Sequence, residues 1–188
     1  MATDASTTRV PEAQSSSLEG RRADRLAVFG ITGDLAKVKT FRSLYRLERH
    51  GLLDCPILGV AADDWTVDRL IERARESIIG AGEPLDEDVF ARFAARLSYV
   101  SGDFGDAATY GRVADALGDA QLPVFYLEIP PFLFGRVVQG LAEAGLTGSA
   151  RVVVEKPFGQ DLASAQALAA ELHGYIDEAQ LFRIDHFL

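Results

Sequence analysis

Apolar positions along the chain follow two alternating rhythms. Short apolar runs, stopping at or within two residues of a glycine or a carboxylate, predict buried strands at 26–29, 57–61, 124–127, 152–154 and 181–184. Between them, apolar residues recur every three to four positions. Leu35, Val38, Phe41, Leu44, Tyr45 and Leu47 mark one such helix, ended by His50-Gly51. Further helices are predicted at 65–79, 86–97, 106–117, 132–144 and 161–173, with a short strand at 97–100. Gly145 and Gly174 close the last two helices. Strands alternating with helices predict an α/β fold, a doubly wound, mostly parallel sheet with helices on both faces. No internal repeat is visible. Residues 25–188 read as one domain.

Composition narrows the function classes. The 188 residues are 48% hydrophobic and 25% charged, ordinary globular values that rule out a wholly disordered chain. Nineteen Lys plus Arg against 28 Asp plus Glu give a net charge of −9. Such a surface repels phosphate backbones and anionic lipid, so neither nucleic acid nor membrane is an expected partner. No apolar run approaches the roughly 20 residues of a membrane span. Cys55 is the sole cysteine, which excludes an internal disulfide and a multi-cysteine zinc site; no metal site is expected. Cys55 precedes Pro56 with no base beside it and reads as a bystander. Residues 1–24 are Ser/Thr/Ala-rich, aperiodic and without the apolar core of a signal peptide, which predicts a disordered leader. A soluble, cytoplasmic domain is expected.

In open parallel sheets, ligands bind beyond the carboxyl ends of the strands. Five unusual groups fall there: Gly30, Asp63-Asp64, Pro130-Pro131, Glu155-Lys156-Pro157 and Asp185-His186. Gly30-Ile31-Thr32-Gly33-Asp34-Leu35-Ala36 joins the first strand to the first helix. Gly30 permits a tight turn, and Gly33 lets a pyrophosphate approach the helix N-terminus, where unpaired N–H groups and the helix dipole favour an anion. Thr32 replaces the usual middle glycine of such turns. A helix start that merely uses two glycines remains the alternative. Pro157 forces Lys156 into extended backbone at a strand end, and the Lys156–Pro157 bond is a candidate for cis. There a solvated lysine is the alternative. Of the three histidines, His50 and His173 each precede a helix-closing glycine, where the helix dipole accounts for them. His186 alone lies at a strand end beside a carboxylate, with a structural histidine as the alternative. The charges Asp68, Arg69, Glu72, Arg73, Arg75 and Glu76 read as a solvated helix face.

With these residues in view, 25–188 resembles the coenzyme-binding domain of glucose-6-phosphate dehydrogenases. The turn Gly30 to Ala36, with Lys39 three residues on, is similar to the family's coenzyme fingerprint. Tyr126-Leu127-Glu128-Ile129-Pro130-Pro131 resembles its second coenzyme segment. Glu155-Lys156-Pro157-Phe158-Gly159 and Arg183-Ile184-Asp185-His186-Phe187-Leu188 resemble its two substrate signatures. The resemblance implies a Rossmann-like fold and oxidation of glucose 6-phosphate at C1, with hydride passing to NAD or NADP and 6-phosphogluconolactone leaving. On that pattern Gly30, Thr32, Gly33, Asp34, Leu35, Lys39, Tyr126, Pro130 and Lys156 meet the coenzyme. Lys39 and Lys156 would reach the sugar substrate as well as the coenzyme, His186 would hold the sugar phosphate, and Asp185 would orient the catalytic base. The family's base histidine, and the antiparallel-sheet domain carrying its homo-oligomer contact, fall beyond residue 188. The isolated chain is therefore expected to bind coenzyme without turning over substrate. Phe187 stands where the family usually has a tyrosine, and Glu128 where it has a small residue.

Coenzyme choice rests on another departure. NADP users of the family place an arginine just after the second strand. Here Ala62 is followed by Asp63 and Asp64, and a carboxylate there accepts from the ribose hydroxyls of NAD while repelling a 2′-phosphate. NAD is the expected coenzyme and NADP the alternative, which Arg69 or Arg73 would serve if Asp63 or Asp64 merely capped the next helix. Two other functions compete: a non-catalytic nucleotide-binding module kept from such an enzyme, and a short-chain reductase. Against the reductase, none of the five tyrosines has a lysine four residues later.

Overall fold

The computed structural model describes residues 21–159 and 161–184. The expected leader, except for its last four residues, and the expected Asp185-His186-Phe187 signature lie outside them. Six strands form a single sheet: β1 (Arg25–Phe29), β2 (Ile57–Ala61), β3 (Leu97–Ser101), β4 (Pro123–Leu127), β5 (Arg151–Glu155) and β6 (Leu181–Ile184). Every pairing is parallel, in the order β3-β2-β1-β4-β5-β6. Helices α1 (Phe41–Arg49), α2 (Val67–Gly80) and α3 (Glu87–Ala95) cover one face; α4 (Ala107–Leu117), α5 (Phe134–Glu143) and α6 (Leu162–His173) cover the other.

Alternation along the strands builds the two cores. From β1, Ala27 and Phe29 join Phe125, Leu127, Val152 and Val154 under α4–α6, while Val28 points to Phe41, Tyr45 and Ile57 under α1–α3. Because the chain changes face after β3, connections diverge on either side of the β1–β4 pair. A crevice therefore opens beyond the carboxyl ends of these two strands.

Helix starts follow local chemistry. Thr66, Asp86, Asp106 and Asp161 each accept a backbone N–H of the first turn of the following helix. Two buried carboxylates lock α1 to the α2–α3 unit. Glu83 receives Arg42, Arg46 and Arg49 at 3.0, 2.6 and 2.8 Å, and Glu48 receives Arg92 and Arg96 at 3.3 and 2.6 Å. Hydrogen bonds from Arg46 and Arg42 lower the Glu83 acid to about 2.

Several expectations need correcting. The first helical run, from Asp34, opens with a π turn at Ala36–Thr40 before becoming regular at Phe41. The wider turn rotates Val38 out to solvent, 61% exposed, and buries Thr40, so the apolar stripe read through Val38 is broken there. The helix expected at 132–144 begins only at Phe134, because Pro131–Leu133 form a 3₁₀ turn that leaves Phe132 82% exposed. Gly51 and Gly145 do adopt the left-handed conformation, at φ +66° and +73°, but Gly174 stays right-handed at −66°. The charged face of α2 is partly engaged with its surroundings: Arg69 and Arg73 lie over the Trp65 ring, Arg75 lies over Phe90 and pairs with Glu87, and Nε of Arg73 is buried. His50 and His173 stand at helix C-termini as expected, and His173 Nε2 meets Glu178 at 2.8 Å. Cys55 is buried, and burial, reinforced by the Asp54 charge, pushes its thiol up and away from reactivity.

Candidate coenzyme site

The turn after β1 is built by backbone first. Gly30 N–H donates to Val60 O of β2 at 2.7 Å, and Glu128 N–H donates to Phe29 O at 2.9 Å, so the sheet ladder continues just past both strands. These bonds bring Gly30 against the main chain of Glu128. Gly30 sits at φ +86°, and a Cβ there would lie 2.3 Å from the Glu128 carbonyl oxygen. Only glycine fits on either count. Gly33 N–H closes the turn onto Gly30 O at 2.9 Å, and the helix starts at Asp34. Its first N–H groups have no partner from an earlier turn and emerge beside the crevice.

A cleft of about 350 Å³ occupies that crevice. Gly33, Asp34 and Leu35 form one wall, Glu128 to Pro131 the floor, and Glu155 with Lys156 the far wall. The Lys156–Pro157 bond is cis. Tyr126 and Glu155 come from adjacent parallel strands, and the Tyr126 hydroxyl donates to Glu155 Oε1. The burial of Tyr126 and its carboxylate neighbours push the phenol far above its usual range. Glu128 Oε1 accepts from Thr40 Oγ1, while its Oε2 is buried without a hydrogen-bond partner of good geometry. Burial, reinforced by the charge of Glu155 and opposed by hydrogen bonds from Thr40 and Tyr126, raises the Glu128 acid to about 7.

On the β2 side of the turn, Thr32 Oγ1 donates to Asp63 Oδ2 at 2.6 Å. Tyr99 from β3 donates its hydroxyl to Asp63 O at 2.7 Å, which fixes the loop; burial and the nearby aspartate charges push that phenol up to about 12. Thr66, with neither Asp63 nor Asp64, caps α2, so the Asp63 carboxylate stays at the sheet edge.

The structure therefore gathers Gly30, Thr32, Gly33, Asp34, Leu35, Asp63, Tyr126, Pro130 and Lys156 along one edge of the sheet. Lys39 is exposed on the π turn and does not line the cleft. Asp185 and His186 lie outside the described residues. Thr40 and Tyr99 escaped the sequence reading: one is placed by a π turn without an apolar signature, the other by a neighbouring strand. Glu128 stood out only as a departure from the family pattern.

Strand order, the glycine turn at the β1–β4 switch point and the cleft beside it define a Rossmann-class α/β domain of the dinucleotide-binding type. A family model described as glucose-6-phosphate dehydrogenase, NAD binding domain, matches residues 27–188, and the chain belongs to that family. Glucose-6-phosphate 1-dehydrogenase 1 of Mycobacterium bovis is 56% identical over 169 residues, 90% of this chain and 36% of the relative. The enzyme of Dickeya dadantii is 36% identical over 168 residues, 87% of this chain and 34% of its own length. The crystal structure of glucose-6-phosphate 1-dehydrogenase from Mycobacterium avium superposes with TM-score 0.87 at 53% identity, over 89% of this chain and 36% of that one. A glucose-6-phosphate dehydrogenase in complex with its substrate glucose 6-phosphate gives 0.78 at 33% identity, over 88% and 37%. The chain thus spans about a third of the length of these relatives.

Proposed function

We propose that this domain binds a nicotinamide dinucleotide, NAD in preference to NADP, as the coenzyme half of a cytoplasmic, homo-oligomeric glucose-6-phosphate dehydrogenase. The observation that carries the reading is the glycine turn at the β1–β4 switch point, with Gly30 packed on the Glu128 backbone and the helix N-terminus facing the cleft. Gly33 and the first helical N–H groups hold the pyrophosphate, with Thr32 beside them. Asp63 accepts from the adenosine ribose hydroxyls, being already within 2.6 Å of Thr32. Lys156, held at the end of β5, supplies positive charge to both coenzyme and sugar phosphate. His186 binds that phosphate and Asp185 orients the base of the complete enzyme. A nicotinamide held there would supply the hydride acceptor for C1. The domain's own contribution is placement of that ring beside the substrate, which is worth many powers of ten when reacting atoms are held in contact.

Titrating the 188-residue chain with NAD and NADP tests the reading. Saturable binding, tighter for NAD, is expected. Tighter NADP binding would overturn the preference, and no binding of either would overturn the coenzyme site itself.

A further inference from the structure

Away from the coenzyme cleft, three arginines converge on one glutamate, and their charges do not cancel. Arg42, Arg46 and Arg49 lie at i, i+4 and i+7 of α1 and so share one stripe of its surface. Glu83 meets them from the loop between α2 and α3, where its N–H donates to Ile78 O at 3.2 Å. The Nε groups of Arg42 and Arg46 both donate to Glu83 Oε2, at 3.0 and 2.8 Å, and Nη1 of Arg49 reaches Oε1 at 2.8 Å. The glutamate side chain is 4% exposed beneath them, while the three arginine side chains are between 34% and 46% exposed.

One guanidinium is enough to neutralise a buried carboxylate. Three positive charges against one negative leave +2 in a single cluster, and guanidiniums held so close repel one another. General basicity does not account for the excess, because the chain as a whole carries −9. No second acceptor relieves it: among the described residues, none besides Glu83 bonds or pairs with Arg42, Arg46 or Arg49. The nearby Asp86 turns its Oδ1 to the Val89 N–H at the start of α3. One carboxylate has too few lone pairs for the donors of three guanidiniums, so N–H groups are left over at the surface. Charge and donors are thus held in place before any ligand arrives. They match a phosphate monoester, which carries close to two negative charges at neutral pH and three acceptor oxygens.

We propose that Arg42, Arg46 and Arg49, gathered by Glu83, form a binding site for a phosphate monoester on the exposed side of α1, separate from the coenzyme cleft, whose lining includes none of them. A phosphorylated metabolite and a phosphorylated peptide side chain share that chemistry. The inference does not depend on the coenzyme reading.

The test is a titration of the ¹⁵N-labelled 188-residue chain with inorganic phosphate, followed by NMR of the arginine Nε–H groups. Saturating NAD keeps phosphate out of the coenzyme cleft, and the arginine shifts are expected with or without it. Signals of Arg42 and Arg46 should shift saturably at millimolar phosphate, and more than at equal ionic strength of chloride. Arg46→Gln and Arg49→Gln each leave Glu83 two arginine partners, so both should fold by circular dichroism. Each should weaken phosphate binding about tenfold or more, as loss of a hydrogen bond to a charged group does. Arg136→Gln, which removes an exposed arginine of α5, should leave it unchanged. Parallel titrations with glucose 6-phosphate and a phosphoserine peptide identify the source, and tighter binding of either supports the site. Absence of saturable wild-type shifts would overturn the proposal, even if a variant failed to fold. Unchanged affinity in both cluster variants, or equal weakening by Arg136→Gln, would overturn it as well.

Discussion

Replacing Gly30 by Ala perturbs the site at its tightest point. Two costs act there. An L-residue in left-handed backbone loses roughly 1–2 kcal/mol. The new methyl group would also lie 2.3 Å from Glu128 O and 2.9 Å from Ile129 Cγ2. Relief requires β4 to move away from β1, which sacrifices the Glu128 N–H to Phe29 O bond, worth about 1 kcal/mol net. The sum is on the order of 2–3 kcal/mol, a Tm loss of roughly 5–10 °C for a domain of this size. Gly51→Ala supplies the control: at φ +66°, with no heavy atom within 4 Å of where its Cβ would stand, it bears the backbone cost alone. Urea unfolding followed by circular dichroism on wild type and both variants separates the contributions. Gly30→Ala is expected to be the less stable variant by about 1 kcal/mol or more, the share of the lost hydrogen bond, and to bind NAD poorly if it folds. Equal destabilisation of the two variants would refute the close approach of β1 and β4 as the reason for glycine.

Other consequences are as direct. Glu83, lowered to about 2 from 4.5, contributes stability that is present above pH 4.5 and lost as pH falls toward 2, so Tm should drop steeply in that window in wild type and less steeply in Glu83→Gln. The raised Glu128 acid has the opposite sign: its contribution is full below pH 4.5 and lost as pH rises through about 7, so Glu128→Gln should gain on the order of 1–3 kcal/mol over wild type at pH 8 and nothing at pH 4, by urea titration. Ala62→Arg with Asp63→Ser should move relative affinity toward NADP by about fivefold or more, since two unit charges about 5 Å apart repel by roughly 1 kcal/mol even in a water-like dielectric; unchanged Kd ratios would show that Asp63 does not set the preference. In the complete enzyme, Lys156→Ala should cut kcat/KM for glucose 6-phosphate strongly and Lys156→Arg should restore it only in part, because the planar guanidinium does not replace a point charge; near-parental values would make Lys156 a surface residue.

Much of this architecture was legible because short apolar runs and glycine turns are local signals. Leu26-Ala27-Val28-Phe29 ending at Gly30, and Val152 to Val154 ending at Glu155-Lys156-Pro157, placed the strand ends and hence the edge that carries the site. The cap at Asp86 and the capping box of Asp161 with Ser164 likewise follow from residue type at short range. What stayed hidden depends on distant partners. The π turn throws Val38 out of the stripe it shares in sequence with Leu35 and Phe41 and buries Thr40, whose role appears only against Glu128, 88 residues away. The Thr32–Asp63 pair and the Tyr99 lock likewise join residues brought together by parallel strand pairing across β1, β2 and β3. Glu83 and Glu48 carry no local signal of burial, and their five arginine partners are set around them only by the fold.

Hydrogen–deuterium exchange of the 188-residue chain with and without saturating NAD tests the central claim, that the coenzyme lies across the β1–β4 switch point. Protection is expected in three segments, 30–37, 128–133 and 155–158, with Asp63 and its neighbours following. The opposite edge of the sheet, around Gly51, Gly118 and Gly145, should exchange unchanged. Protection confined to that opposite edge, or saturable NAD binding with no change in 30–37 and 128–133, would contradict the account.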